Sequence, residues 1–131
     1  MLVVRIWEGL GNQMFQYAFA RSLEKKTEQK VYLEGRRIYR KSLPGEDLKV
    51  DRKCSLVHFN LKLKFIRPEY LSKWEYLEQR TLFQKFRYVC ARKGLGDYGF
   101  ITDHEDQCAY REDFMEIRRS MYIMGHFLNK K

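Results

Sequence analysis

The first 34 residues constrain the fold more than any other segment. Leu2-Val3-Val4-Arg5-Ile6 is a short run rich in β-branched residues, as expected of a strand buried on both faces. Trp7-Glu8-Gly9-Leu10-Gly11 follows, and its glycines offer backbone freedom where the chain must turn within a few residues. Asn12 suits a helix N-cap, because its side-chain oxygen accepts from an N–H two or three residues on. Phe15, Phe19 and Leu23 then recur every fourth residue beside Met14 and Ala18, which predicts a helix with one apolar face. Ala18 and Ala20 are small enough to let that helix pack close to a sheet. Polar residues from Glu24 to Gln29 end it, and Lys30-Val31-Tyr32-Leu33-Glu34 reads as the next strand. The whole is one βαβ unit, with parallel strands and a right-handed crossover expected.

A loop from a strand's carboxyl end to a helix's amino end is where α/β proteins place anionic ligands. Two common phosphate loops do not fit. A dinucleotide fingerprint needs a third glycine where Met14 stands, although Glu34 occupies roughly the place of a ribose-binding acid. A P-loop ends in Gly-Lys-Ser/Thr, which is absent from the sequence. Two readings stay open: an anion or nucleotide site built on Gly9, Gly11 and Glu34, or a tight βα turn with no ligand.

The 131 residues suffice for one domain with a modest core. A net charge of +9 suits an anionic partner: a nucleotide-sugar, a nucleic acid or an anionic membrane face. Abundant aromatics (Tyr 9, Phe 9, Trp 2) argue against disorder. No apolar run approaches the roughly 18 residues needed to span a bilayer. The charged, glycine-containing loop after the first strand also argues against a signal peptide. The cytoplasm is therefore the expected location, with peripheral contact at the inner face of the membrane as an extension of it. Cys54, Cys90 and Cys108 form no C-x-x-C pair, so neither a zinc site nor a redox pair is expected. His58, His104 and His126 are scattered, and His104 within Thr102-Asp103-His104-Glu105-Asp106 reads as a solvated loop rather than a metal site.

Downstream, residues 35–53 are basic and carry the turn signal Pro44-Gly45, so Arg36, Arg37, Arg40 and Lys41 are expected on an exposed connection. Leu61-Lys62-Leu63-Lys64-Phe65-Ile66 alternates apolar and basic residues, as a short strand or sheet edge would. Pro68 introduces a long helical pattern whose apolar face holds Tyr70, Leu71, Trp74, Leu77, Leu82, Phe86, Val89 and Cys90. Lys73, Arg80, Lys85, Arg87, Arg92 and Lys93 make its other surface basic. We read this as a core face with a solvated back; the alternative is a basic module lying on an anionic membrane or polyanion. Arg92-Lys93-Gly94 reads as a helix end with a glycine stop. Asp113 to Arg119 predicts one more short helix, and Met121-Tyr122-Ile123-Met124 a buried strand continuing the parallel sheet. The expected architecture is α/β: a single Rossmann-like lobe, a small parallel sheet flanked by helices.

The string Gly9-Leu10-Gly11-Asn12-Gln13-Met14-Phe15-Gln16-Tyr17-Ala18 is more specific than its glycines. It resembles the N-terminal signature G-G-L-G-N-Q-M-F-Q-Y-A of the α-1,2-fucosyltransferases of glycosyltransferase family 11. Two weaker stretches fit in the same order. Residues 52–61, ending Leu56-Val57-His58-Phe59-Asn60-Leu61, resemble that family's loop ending in L-x-x-F-N-I. Ser120-Met121-Tyr122-Ile123-Met124-Gly125-His126-Phe127 resembles its strand ending in G-Y-F or G-Y-W. The resemblance implies the N-terminal half of a glycosyltransferase-B type enzyme, which moves fucose from GDP-fucose to the 2-hydroxyl of a galactoside. The acceptor would belong to an oligosaccharide or surface polysaccharide. Inversion at the sugar, no cofactor, no required metal and no nucleic-acid partner are implied as well. Carried over by position, Gly9, Gly11, Asn12 and Gln13 line the substrate cleft. Asn12 is the catalytic candidate, because a side-chain amide can stabilise charge developing on a leaving phosphate; a pure helix cap is the alternative.

The sequence also departs from that family. Its members continue into a donor-binding lobe that opens with H-x-R-R-G-D-Y, whose arginine clamps the donor phosphates. No His-x-Arg occurs in these 131 residues, and Arg92-Lys93-Gly94-Leu95-Gly96-Asp97-Tyr98 lacks the histidine. Residues 1–131 are therefore expected to form an N-terminal lobe alone, without the donor-binding lobe and inactive by itself. Glu8 replaces the first glycine of the G-G pair, where a carboxylate repels a diphosphate and a side chain resists positive φ. Cys54 stands where an aromatic is common, and His126-Phe127-Leu128-Asn129 differs from the usual aromatic-Gln-Ser ending.

Overall fold

The computed structural model describes residues 1–35, 54–102, 117 and 119–125. Strand β1 (Leu2–Arg5), helix α1 (Leu10–Thr27) and strand β2 (Val31–Glu34) form the expected opening unit. A 3-10 turn follows at Ser55–His58, then helix α2 (Pro68–Leu71), a 3-10 helix (Ser72–Glu78), helix α3 (Leu82–Arg92) and strands β3 (Tyr98–Thr102) and β4 (Ser120–Met124). The four strands form one sheet in the order β2-β1-β4-β3. Every pairing is parallel, with Val3 of β1 opposite Tyr32 on one side and Tyr122 on the other. The α/β architecture with a small parallel sheet is thus as expected.

Alternation along the strands divides the core in two. Leu2, Val4 and Ile6 join Val31, Leu33, Met121 and Ile123 against Phe19, Ala20 and Leu23 of α1 and against Cys54 and Leu56. Val3 and Tyr122 point to the opposite face, where Leu71, Trp74, Tyr76 and Ala91 cover them. The central strand is therefore apolar on both sides, as its β-branched composition demands. Two polar tips hold the second layer to β3: Trp74 Nε1 donates to Gly99 O at 2.8 Å and Tyr76 Oη to Tyr98 O at 2.9 Å.

The inward face of α1 differs from the expected one. Phe19, Ala20 and Leu23 are buried, but Met14, Phe15 and Ala18 face solvent, and Gln13 and Gln16 take the inward positions. The buried row 13-16-20-23 shares Leu23 with the Phe15-Phe19-Leu23 row and is rotated from it toward the loop.

The long pattern after Pro68 is also not one helix. Pro68 does occupy the first turn of α2. The chain then tightens into 3-10 geometry, and Gln79 takes a left-handed conformation at φ 51 that ends it. Thr81 restarts α3 with a capping box, its side chain accepting from Gln84 N at 3.1 Å. The first piece buries Leu71 and Trp74 as expected, whereas Leu82, Phe86 and Val89 of the second are exposed. The expected core face therefore holds at Leu71 and Trp74 but not at Tyr70, which is exposed while Tyr76 is buried. In α3 the inward face is that of Tyr88 and Ala91 instead, because the break at Gln79 resets the helix rotation.

The glycine stop stands as read. Leu95 N donates to Cys90 O at 2.9 Å across Gly94, whose φ is +79. Leu61–Ile66 contributes a single parallel bridge, Phe65 to Leu33, with Ile66 N donating to Leu33 O at 2.9 Å. That contact blunts the outer edge of β2. Strand β3 was not foreseen. The loop carrying Pro44-Gly45, the segment around His104, Cys108, the helix expected near Asp113 and the ending from His126 lie outside the described residues.

Candidate functional site

The strand order places β1 and β4 side by side at the middle of the sheet, with β2 outside one and β3 outside the other. In open parallel sheets, ligands collect outside the carboxyl ends of the strands, where the winding changes direction. Here that position is occupied by Ile6-Trp7-Glu8-Gly9 and the first turn of α1.

Two buried glutamines fix the loop. Gln16 Oε1 accepts from Trp7 N at 2.9 Å, while Gln16 Nε2 donates to Gly125 O at 3.2 Å. One side chain thereby ties the ends of β1 and β4 to α1. Gln13 Nε2 donates to Glu8 O at 2.8 Å, and Gln13 Oε1 accepts from Ser55 N at 2.9 Å. Both amides are fully buried, so their polar atoms serve backbone groups that would otherwise be costly to bury. Gln13, expected in the cleft, is thus a scaffold residue, and Gln16 was missed as one.

The remaining candidates are close together but differ in role. Gly9 is the N-cap of α1 in an extended conformation, φ −77 and ψ 169, with no side-chain cap bond. Asn12 is therefore not the N-cap. It lies in the first turn, and its Nδ2 donates to the carboxylate of Glu8. Gly11 is helical and exposed, and a Cβ there would meet nothing within 4 Å. The turn's left-handed residue is Glu8, at φ 63, so neither glycine supplies the positive φ. That is the position where the resembling signature carries glycine, and a side chain there costs about 1 kcal/mol. Asn12 offsets part of that cost by holding the carboxylate.

The electrostatics follow from these placements. The amino end of α1 brings end-of-helix N–H groups and partial positive charge to the loop. Glu8 sets a formal negative charge beside them. The Glu8 carboxylate is held by Asn12, and a carboxylate accepts from donors rather than donating.

Glu34 does not reach this loop. Its carboxylate is buried, accepts from Tyr122 Oη at 2.7 Å, and lies 3.9 Å from Arg5 Nε. Arg5 in turn sits over the Trp7 ring, 5.3 Å from its centroid. The acid that resembles a ribose binder by position thus ties β2 to β4 across β1. Glu34 is therefore held inside the sheet against Tyr122 and Arg5 rather than presented beside Gly9 and Gly11. Among the described residues, no group of three or more His, Cys, Asp or Glu could hold a metal ion. Among them, too, no helix is long and apolar enough to cross a membrane. Comparison with protein-family models, with curated proteins and with solved structures finds no match to this chain.

Proposed function

We propose that residues 1–131 are the N-terminal lobe of an α-1,2-fucosyltransferase of the glycosyltransferase-B type, acting in the cytoplasm on a galactoside of an oligosaccharide or surface polysaccharide. The observation that carries the reading is the string Gly9–Ala18 seated at the carboxyl end of a central parallel strand. There its two glutamines have a structural reason for their spacing: each satisfies backbone groups of the loop. In this reading the cleft residues are Gly9, Gly11 and Asn12, with Glu8 beside them. Gln13 and Gln16 hold the floor.

The chemistry assigned to the intact enzyme is attack of a galactoside 2-hydroxyl on the fucose anomeric carbon, with GDP leaving. Asn12 and Glu8 would orient the sugar hydroxyls: the amide donates, the carboxylate accepts. Among the described residues, Arg5 is not offered to a diphosphate, since it lies against the buried Glu34. The polypeptide by itself is expected to transfer no fucose from GDP-fucose to lactose. It is expected to bind lactose weakly, in the millimolar range, by saturation-transfer NMR, and Asn12→Ala is expected to abolish that signal. Absence of any lactose or GDP-fucose binding by a folded protein would overturn the proposal.

A further inference from the structure

Helix α3 is turned inside out. It packs on the sheet through Tyr88, stacked on Phe100 with centroids 4.8 Å apart, and through buried Ala91. The opposite arc carries Leu82 at 84 %, Phe83 at 69 %, Phe86 at 67 % and Val89 at 50 % exposure, with Leu95 at 60 % just beyond. At about 100° per residue, Leu82, Phe83, Phe86 and Val89 share one arc of about 120°. An exposed apolar patch of this kind marks an interaction surface rather than a satisfied core. The helix is not frayed there: a capping box holds its start and Gly94 its end.

Charge identifies the partner. Residues 81–96 contain Lys85, Arg87, Arg92 and Lys93 and no acidic residue. Lys85 and Arg92 lie along one flank of the arc. Arg87 lies on the other, 6.0 Å from the Phe83 ring centroid. An apolar stripe bordered by cations on both sides is the form of a helix lying in the plane of an anionic lipid surface. A second copy is disfavoured, since it would set these cations against the same cations on a chain already carrying +9. A nucleic acid would use Phe83 and Phe86 for stacking but has no use for Leu82, Val89 and Leu95. Eleven residues span only about 16 Å, too short to cross a bilayer.

We propose that α3 docks this protein on an anionic lipid surface, burying Leu82, Phe83, Phe86 and Val89 among the acyl chains with Lys85, Arg87 and Arg92 at the headgroups. The proposal is independent of the transferase reading. The test is flotation of the purified 131-residue protein with vesicles of phosphatidylcholine alone or mixed with phosphatidylglycerol. Binding is expected to the mixed vesicles only, and to weaken as salt rises. The double substitution Phe83→Ser with Phe86→Ser should abolish binding, while Lys85→Glu with Arg92→Glu should reduce it about tenfold or more. All four side chains face solvent, so an unchanged circular dichroism spectrum should accompany each loss. No binding to either vesicle, or equal binding to both, overturns the proposal. So does tight poly(U) binding without vesicle binding, or a dimer that the Phe83→Ser, Phe86→Ser protein no longer forms.

Discussion

Replacing Gln16 with methionine should unfold the loop side of this protein more than any exposed substitution. Methionine keeps the length and apolar bulk of glutamine but neither donates nor accepts strongly. The change takes the acceptor from Trp7 N–H and the donor from the carbonyl of Gly125, two bonds of 2.9 and 3.2 Å. A buried polar group that loses its partner costs about 1–3 kcal/mol, so the pair amounts to about 2–6 kcal/mol. Against the roughly 5–15 kcal/mol of a small domain, that is a large share. At about 4 °C per kcal/mol for a chain of this size, the thermal midpoint should fall by about 8–24 °C in a circular dichroism melt. Gln16→Glu provides the internal control. Its protonated carboxyl can both accept from Trp7 N–H and donate to Gly125, but its charged form can only accept. Burial disfavours that charged form and raises the folded-state pKa above the unfolded value of about 4.3. The stabilising protonated form is therefore lost as pH rises, and Gln16→Glu should recover relative to wild type when pH is lowered from about 8 to about 5. A Gln16→Met midpoint within about 2 °C of wild type would refute the scaffold role of Gln16.

Three further outcomes follow from named contacts. Glu8→Gly should be more stable than Glu8→Ala by about 1 kcal/mol in urea titration, because alanine keeps the φ of 63 without the Asn12 contact. Tyr122→Phe removes the 2.7 Å donor to the buried Glu34 carboxylate, and should cost about 1–3 kcal/mol in the same assay. The Tyr76 hydroxyl is pushed up to about 12, chiefly by burial and against the pull of Arg87 and Arg119. Its folded value then exceeds the unfolded value of about 10, so its contribution to stability is full below about pH 10 and is lost as pH rises to about 12. Tyr76→Phe should flatten that loss while costing about 1 kcal/mol at neutral pH through its bond to Tyr98 O.

The strands with uninterrupted apolar runs were legible: β1, β2 and β4 follow from Leu2–Ile6, Val31–Leu33 and Met121–Met124. Strand β3 was not, because Gly99 interrupts it and its support is remote. Trp74 and Tyr76, more than 20 residues earlier, hydrogen-bond its carbonyls. The face of α1 was misjudged for a related reason. An apolar count selects Phe15, whereas the demand for buried amides at Trp7, Glu8, Ser55 and Gly125 selects Gln13 and Gln16. Glutamines spaced three apart on the row that leads to Leu23 were the available signal. At α3 the periodicity was right and its direction was not, because a left-handed Gln79 breaks the frame. In the loop, the expected consequence of Glu8 in place of glycine was legible, since the positive φ falls on that residue. Asn12 as a cap was not, because Gly9 starts the helix three residues earlier.

The central claim is that the loop of Glu8, Gly9, Gly11 and Asn12 is a sugar site of a fucosyltransferase lobe. The most direct measurement is an amide-resolved NMR titration of this protein with lactose and, separately, with GDP-fucose. The account predicts saturable shifts at Gly9, Gly11 and Asn12 with lactose, larger there than any with GDP-fucose. Shifts confined to other parts of the sheet, or none at all with either ligand, would contradict it.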